Sequence, residues 1–212
     1  MTVKLKPKQT IIALDVSSLE ETKDLLSIVD KDLFRLKVGK QLFTSQGPKA
    51  VDKLRSLGFD IFLDLKLHDI PNTVSKSLSN ICNLGVWMSN IHLLGGQEMI
   101  EAATSTVKGL NSEMILVGVS ILTSLNENNL VELGFNSSAE EIAIKLAKLG
   151  KQNGVDGVVC SIEDISGIKA SLGGDFLSVT PGVRMSQDND DQKRSGSIYN
   201  AIQFGTDFVV VG

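Results

Sequence analysis

Short apolar runs alternate with amphipathic segments along the whole of this chain. The apolar runs are rich in Ile, Val and Leu and hold few charges, which is typical of strands buried on both faces of a parallel sheet. The runs that we predict as strands are residues 10–16, 33–39, 60–67, 86–93, 113–122, 156–161, 176–183 and 207–211. The segments that we predict as helices are residues 17–30, 47–57, 71–85, 95–110, 138–153, 162–172 and 198–204.

Strict alternation of strands and helices calls for an α/β fold with a parallel sheet covered by helices. Eight such units favour closure of the sheet into a (β/α)8 TIM barrel. A doubly wound open sheet is the structural alternative, but no Gly-x-Gly-x-x-Gly motif follows a predicted strand. A chain of 212 residues suits one domain, so we expect a single TIM-barrel domain over residues 1–212.

The third predicted strand is unusual because it carries charges inside an apolar run. Asp64 and Lys66 alternate within it, so on a regular strand they would share a face with their Cα atoms about 6.6 Å apart. Burying both charges costs several kcal/mol unless each is paired. Asp69 follows just after the strand, and Lys37 lies in a second apolar strand. The spacing alone fits equally well a structural ion pair with a helix cap at Asp69 and a catalytic site.

Polar residues occupy the predicted carboxyl ends of most strands, the end of a TIM barrel at which active sites lie. These residues are Asp15, Lys37, Asp64, Lys66, His92, Thr123, Ser161 and Arg184. Phosphate groups often bind beyond the seventh and eighth strands of such barrels. Gly182 would let a backbone N–H approach an anion there, and the forked guanidinium of Arg184 matches the geometry of phosphate oxygens. We therefore predict a phosphate monoester as the ligand; alternatively, Gly182 makes an ordinary turn and Arg184 is a solvated loop residue.

A polar segment, residues 185–195, follows the seventh predicted strand and contains three aspartates and Gln192. It is either a lid that folds over a ligand or an ordinary flexible loop. The net charge of −4 predicts no general attraction to nucleic acid. No apolar run approaches the roughly 18 residues of a membrane span, and we expect a cytoplasmic protein. Cys82 and Cys160 are predicted to be free thiols.

Several motifs occur in one order along the chain: RLKVGK, FLDLKLHDIPNT, WMSNIHLLGG, ILTS, DGVVCS, VTPGVRMS and DQKR. Together they resemble the bacterial type of orotidine 5'-phosphate decarboxylase along essentially the whole chain. The Asp-x-Lys-x-x-Asp pattern alone would also fit magnesium-dependent sugar-phosphate decarboxylases and aldolase-like synthases. The additional lysine, Lys37, argues against those relatives.

The resemblance implies the last step of pyrimidine nucleotide synthesis, in which orotidine 5'-monophosphate loses CO₂ to give UMP without a metal or an organic cofactor. Lys66 would offset the charge that develops at C6 and then donate a proton to it, while Asp64 would lie near the departing carboxylate. Lys37 and Asp69 would complete an alternating array of charges. His68 and His92 lack metal-ligand spacing, and we expect both to be packed rather than catalytic.

Further roles are carried over from the same resemblance. Asp15 and Lys37 would contact the ribose and Thr123 the pyrimidine, and the phosphate ligands would be Arg184, Gln192 and the Gly212 amide. The resemblance also implies a homodimer, with three residues that reach the neighbouring site: Asp69, Ile70 and Thr73. A nucleotide-phosphate binding protein without turnover is the alternative from another functional class.

The resemblance also implies segments beyond Gly212: a further phosphate-binding arginine, a turn that contains threonine, and an eighth helix. We therefore expect a barrel whose last helix is absent from residues 1–212. Either a tail follows Gly212, or the phosphate site is incomplete.

Overall fold

The computed structural model describes residues 5–184 and 196–212 and contains a closed barrel of eight parallel strands. The predicted (β/α)8 TIM barrel is therefore confirmed. The barrel strands are β1 (Thr10–Leu14), β2 (Phe34–Gly39), β3 (Ile61–Leu67), β4 (Met88–His92), β5 (Ile115–Val119), β6 (Gly157–Val159), β7 (Leu177–Thr180) and β10 (Phe208–Val211). Each strand pairs with the next along the chain, and β10 closes the sheet against β1.

The helices of the described part of the chain lie between the strands. They are α1 (Lys23–Ile28), α2 (Lys40–Gln46), α3 (Pro48–Ser56), α4 (Pro71–Asn83), α5 (Gly96–Gly109), α6 (Glu127–Glu132), α7 (Ala139–Gln152), α8 (Ile165–Leu172) and α9 (Ile198–Gln203). Two 3₁₀ turns, Glu20–Thr22 and Leu93–Gly95, precede α1 and α5. Within the described residues, no helix is both long and apolar enough to cross a membrane.

Two of these helices, α2 and α6, were not predicted. Gly47 separates α2 from α3 because its backbone adopts φ 65°, and Pro48 then starts the new helix. Asn126 caps α6, where its side chain accepts from the Asn129 N–H and its own N–H is bonded by the Asn129 side chain.

The seventh predicted strand was too long. Its barrel part ends at Thr180, because Pro181 has no N–H to donate and Gly182 turns the chain at φ 71°. The chain then forms a second, two-stranded parallel sheet from β8 (Val183–Arg184) and β9 (Gly196–Ser197).

The barrel interior is filled by apolar side chains from alternate strand positions. This inner cluster consists of Ile11, Phe62, Met88, Val117, Val119, Val159, Val179 and Val210. A second, larger cluster lies between the strands and the helices. The inner cluster fills the middle of the barrel. The space at the carboxyl end of the barrel is therefore closed from below by these side chains. Within the described part of the chain, neither Cys82 nor Cys160 takes part in a disulfide bond.

Candidate active site

A cavity of about 280 Å³ opens at the carboxyl end of the barrel. It is lined by Ala13, Asp15, Lys37, Asp64, Lys66, Thr123, Pro181, Gly182, Val183, Val210 and Gly212. Two larger hollows, of about 600 and 570 Å³, lie on the outer surface of α7 and at the amino end of the barrel. We assign the site to the smaller cavity because half-buried lysines and a buried acid meet there, at the strand ends where barrels carry their chemistry.

The charges in this cavity form a continuous chain that alternates in sign. Lys66 Nζ lies 2.7 Å from Asp64 Oδ1, and Lys37 Nζ lies 3.5 Å from Asp64 Oδ2. Lys37 Nζ also contacts Asp15 Oδ1 at 3.1 Å. The Asp64 carboxylate therefore bridges two ammonium groups, and these four residues all lie at the carboxyl end of the barrel, where the sequence predicted them to lie.

The Asp64 carboxyl is buried and still ionised. Burial by itself raises its pKa, but the ammonium groups of Lys66 and Lys37 and hydrogen bonds from Lys66 and Asn90 outweigh burial and lower the pKa below its ordinary value. At neutral pH the cavity therefore presents a fixed negative charge beside two positive ones. Such preorganised charges need little rearrangement when charge develops on a bound molecule.

Lys66 does not lie on a regular strand, contrary to our expectation. Its backbone adopts φ 51°, in the left-handed region that costs a non-glycine residue roughly 1–2 kcal/mol. The pairing of β3 with β4 shifts at this point, since Leu63 pairs with Ser89 but Leu67 pairs with Ile91. Three residues of β3 thus lie opposite one residue of β4, a bulge of the kind that often re-aims a side chain beside an active site.

Asn90 is the β4 residue opposite this bulge, and our reading of the sequence gave it no role. Its Oδ1 accepts from the Lys66 N–H at 2.8 Å, and its Nδ2 donates to Asp64 Oδ1 at 2.7 Å. The residue is 0% exposed. A signal was present in the sequence, because Ser89 and Asn90 are adjacent polar residues inside an otherwise apolar buried strand.

Asp69, Ile70 and Thr73 are not among the cavity-lining residues; Asp69 and Ile70 lie on the exposed turn that leads into α4, and Thr73 is exposed in the first turn of that helix. Asp69 Oδ1 accepts from the Ile70 N–H at 2.7 Å, and among the described residues Asp69 forms no ion pair. Ile70 is 66% exposed although it is apolar. A single chain therefore does not bring Asp69 to Lys37 and Lys66, and the predicted array of four charges is incomplete within it.

The predicted phosphate ligands are only partly described. Gly212 lines the cavity together with Gly182, beyond the carboxyl ends of β10 and β7. Arg184 lies on the short strand β8, next to the cavity residue Val183. Gln192 and the rest of the predicted lid, residues 185–195, lie outside the described residues.

His68 and His92 stack beside the site, with ring centroids 5.2 Å apart. His92 Nδ1 accepts from the Leu94 N–H at 3.4 Å. Burial, and then the neighbouring His68, Lys66 and Lys40, lower the pKa of His92 to about 4. His92 is therefore neutral at physiological pH and is packed, as the sequence predicted, whereas His68 is exposed and contacts the His92 ring.

Comparison with known proteins agrees with this architecture. The family described as "Orotidine 5'-phosphate decarboxylase / HUMPS family" matches residues 8–212. A protein of Saccharophagus degradans named orotidine 5'-phosphate decarboxylase is 46% identical over 96% of this chain and 86% of its own length. One of Nitrosomonas eutropha with the same name is 44% identical over 98% of this chain and 90% of its own.

Solved structures show the same likeness. The crystal structure of orotidine 5'-phosphate decarboxylase from Lactobacillus acidophilus superimposes with a TM-score of 0.83 at 34% identity. The match covers 97% of this chain and 90% of that one. The match of sequence and fold over nearly the full length means that this chain belongs to the orotidine 5'-phosphate decarboxylase / HUMPS family.

Proposed function

We propose that this protein is a carboxy-lyase that converts orotidine 5'-monophosphate to UMP and CO₂, the final step of de novo pyrimidine nucleotide synthesis. The observation that carries the proposal is the contact of 2.7 Å between Lys66 Nζ and Asp64 Oδ1 within the cavity at the carboxyl end of the barrel. The relatives named orotidine 5'-phosphate decarboxylase support the choice of substrate.

In the proposed reaction the bond between C6 and the substrate carboxylate breaks, and its electron pair stays on C6. The Lys66 ammonium stabilises that charge as it develops and then transfers a proton to C6, which gives UMP. Solvent afterwards returns a proton to the Lys66 amine. One preorganised electrostatic contact of this kind typically contributes about 10²–10³ to the rate, and a general acid contributes about 10²–10⁴.

Asp64 has a complementary role in this proposal. The two lysines and Asn90 keep its carboxylate ionised, so it lies as a fixed negative charge near the substrate carboxylate. Repulsion between these two anions is present in the bound substrate and disappears when CO₂ leaves as a neutral molecule. Asp64 therefore favours the transition state over the ground state.

The remaining cavity residues would bind the nucleotide. Asp15 and Lys37 contact the ribose in this proposal, and Thr123 contacts the pyrimidine. Phosphate would be held by Arg184, Gln192 and the Gly212 amide. The support is that Asp15, Lys37, Thr123 and Gly212 line the same cavity as Lys66.

We further propose that the active protein is a homodimer in which Asp69, Ile70 and Thr73 enter the neighbouring site. The support is that Asp69 has no cationic partner among the described residues of its own chain, while Ile70 exposes an apolar side chain beside it. Asp69 from the neighbour would complete the array formed by Lys37, Asp64 and Lys66.

The central experiment follows the loss of orotidine 5'-monophosphate absorbance with the parent protein and with Lys66→Ala. We expect the parent to decarboxylate this substrate and the variant to be slower by roughly 10⁴-fold or more. Lys148→Ala, an exposed lysine on α7, is the matched control and should retain the parent rate. Equal rates for parent and Lys66→Ala would overturn the proposal.

Two further outcomes distinguish the alternatives. Calorimetric binding of UMP without decarboxylation would favour a nucleotide-binding protein that lacks turnover. Loss of activity in EDTA would instead favour the magnesium-dependent sugar-phosphate branch of the superfamily.

The dimer is tested by mixing two inactive variants, Lys66→Ala and Asp69→Ala. If Asp69 serves the neighbouring site, about half of the dimers formed are mixed and each mixed dimer carries one intact site of its two, so about one quarter of the parent activity returns. If Asp69 serves the site of its own chain, no mixed dimer has an intact site and activity does not return.

A further inference from the structure

We propose that Asn90 is a positioning residue for the reaction, because its side-chain amide holds the Asp64 carboxylate and the Lys66 main chain in the geometry that directs the Lys66 ammonium into the cavity. This inference rests on the proposed decarboxylase function and adds a residue to its machinery. Asn90 itself is not a cavity-lining residue and is 0% exposed, so it acts through its two partners and not on a substrate.

Asn90 supplies a hydrogen bond to the β3 bulge. Between the pairs Leu63–Ser89 and Leu67–Ile91, three residues of β3 lie opposite Asn90 alone. The β4–β5 register continues without a shift through Asn90, so the irregularity belongs to β3. A bulge deprives its strand of ladder partners, and here the Asn90 Oδ1 supplies an acceptor for the Lys66 N–H at 2.8 Å.

The Asn90 amide has one allowed orientation. The Lys66 N–H is a donor, so it requires the amide oxygen, and the Asp64 carboxylate is an acceptor, so it requires the amide NH₂. The reverse orientation would place oxygen against carboxylate and NH₂ against N–H. Each hydrogen bond therefore fixes the amide orientation that the other requires. The Asn90 side chain thereby links the Asp64 carboxylate to the backbone of Lys66, the lysine that this carboxylate contacts.

The backbone of Lys66 adopts a disfavoured conformation. Its φ of 51° is disfavoured for a residue with a side chain and persists only where the surroundings stabilise it. The Asn90 acceptor stabilises this conformation, and the Lys66 side chain then turns back to meet Asp64 Oδ1 at 2.7 Å. Without Asn90, the Lys66 N–H would lose this acceptor.

Two substitutions test the role. Asn90→Leu removes both hydrogen bonds and keeps the branching at Cγ, and Asn90→Ser is a smaller polar side chain that cannot reach both partners. Ser89→Ala is the matched control, since Ser89 is adjacent, 0% exposed and bonded across the same strand pair to the Leu63 carbonyl at 3.0 Å. The control removes a buried hydrogen bond that touches neither Asp64 nor Lys66.

We expect both Asn90 variants to lose about 100-fold in kcat for orotidine 5'-monophosphate, because a misplacement of about 1 Å has that order of effect. KM should stay within about threefold of the parent, because Asn90 is not exposed to the cavity, and Ser89→Ala should keep the parent kcat. A kcat within about threefold of the parent in Asn90→Ser, or an equal loss in Ser89→Ala, would overturn the inference.

A crystal structure of Asn90→Ser provides a readout that does not depend on turnover. We expect Lys66 Nζ and Asp64 Oδ1 to separate beyond hydrogen-bonding distance, about 3.5 Å. Retention of the parent contact would contradict the positioning role. If the parent protein fails to decarboxylate the nucleotide, the proposed function falls, whereas this crystallographic comparison still decides whether Asn90 positions Lys66.

Discussion

The two ends of the barrel each hold an ion pair built from the same two strands. At the amino end, Arg35 Nε on β2 lies 3.2 Å from Asp60 Oδ2, just before β3. At the carboxyl end, Lys37 Nζ on β2 lies 3.5 Å from Asp64 Oδ2 on β3. Arg35 and Lys37 are two positions apart on one strand and so share a face, which is the interior one because Arg35 pairs with Ile11 and Lys37 with Phe62 of the inner cluster.

The amino-end pair is enclosed by its neighbours. The Arg35 guanidinium lies over the Trp87 ring, 3.7 Å from its centroid, and 5.4 Å from that of Phe208. It also donates to the Lys8 carbonyl oxygen. Burial lowers the pKa of Arg35, and Asp60 partly offsets that shift. Stacking and hydrogen bonds therefore hold this cation in place at the amino end of the barrel.

The carboxyl-end charges differ because one of them, Lys66, remains accessible in a cavity beside the Lys37–Asp64 pair, whose side chains are only 12% and 11% exposed. The Lys66 side chain is 31% exposed and lines a cavity, whereas the Arg35 side chain is 14% exposed. Backbone strain does not separate the two ends, since Lys66 has a left-handed backbone at the carboxyl end and Lys8, whose carbonyl accepts from Arg35, has one at the amino end. The comparison teaches that similar ion pairs on the same strands stabilise the fold at one end and remain available for chemistry at the other.

The largest expected effect is the difference between substitutions at Asp64 and at Asp60, which lies four positions earlier in the chain. Asp64→Asn should lower kcat/KM by about 10³-fold, because it removes the anion between two ammonium groups while the side chain keeps its size. Asp60→Asn should leave kcat/KM close to that of the parent. Initial rates with orotidine 5'-monophosphate measure both, and similar losses in the two variants would erase the distinction between the ends.

The stability contributed by the carboxyl end should depend more strongly on pH than that contributed by the amino end. The pKa of His92 is about 4 in the folded protein, against about 6.5 in an unfolded chain. The unfolded state therefore binds more protons between these values, so the free energy of unfolding falls as the pH drops. From pH 7 to 4.5 the expected loss is about 2 to 3 kcal/mol.

Urea denaturation of the parent and of His92→Asn at pH 7 and pH 4.5 measures this contribution. The variant should lose about 2 to 3 kcal/mol less than the parent over this range. His68→Asn should keep most of the parent's slope, since burial is the largest cause of the His92 shift. Because the pKa of Asp64 is lowered, its stabilising contribution is lost only as the pH falls below about 4.

A smaller effect is expected at the amino end. Arg35→Met should lower the free energy of unfolding by about 2 kcal/mol, because the cation–π contact and the Asp60 pair are lost together. The kcat should not change, since Arg35 lies at the end opposite the cavity. Arg35→Lys keeps the charge but not the stacked plane, so it should lose less stability. A drop in kcat without a drop in stability would contradict the structural role.

The smallest effect is expected at Gly39, where β2 ends beside the site. A Cβ at this position would lie 3.3 Å from Lys37 Nζ and 3.5 Å from Asp15 Oδ1. Gly39→Ala should therefore shift the Lys37 ammonium by a few tenths of an ångström and raise KM roughly 3- to 10-fold, about 1 kcal/mol. Gly109→Ala, with nothing within 4 Å of its Cβ, should leave KM unchanged.

Most of the fold could be predicted from local pattern because strands buried on both faces must be apolar. The helices that escaped prediction are short and bury one side chain each, Leu42 in α2 and Leu130 in α6. A single buried position shows no period. The end of β7 was misplaced because the apolar character of the chain continues to Val183, although Pro181 has already broken the sheet pairing.

The site was predictable in part for a similar reason. Lys37, Asp64 and Lys66 stand out because charged residues are rare within apolar strands. Asn90 was overlooked because its role depends on a bulge in a different strand, which a linear pattern does not reveal. Asp69 was predicted to act in the site of a neighbouring chain, which stays a prediction, and within its own chain its carboxylate accepts from the Ile70 N–H.

By itself, the sequence determined the alternation of strands and helices, the closure of eight units into a barrel, and the charged residue types at the strand ends. These properties follow from burial and chain order, which are local. Only the tertiary structure decided the β3 bulge, the left-handed backbone of Lys66 and the contact of Asn90 with Asp64. Those features depend on the register between strands that are distant in the sequence, and register is set by packing rather than by any one segment.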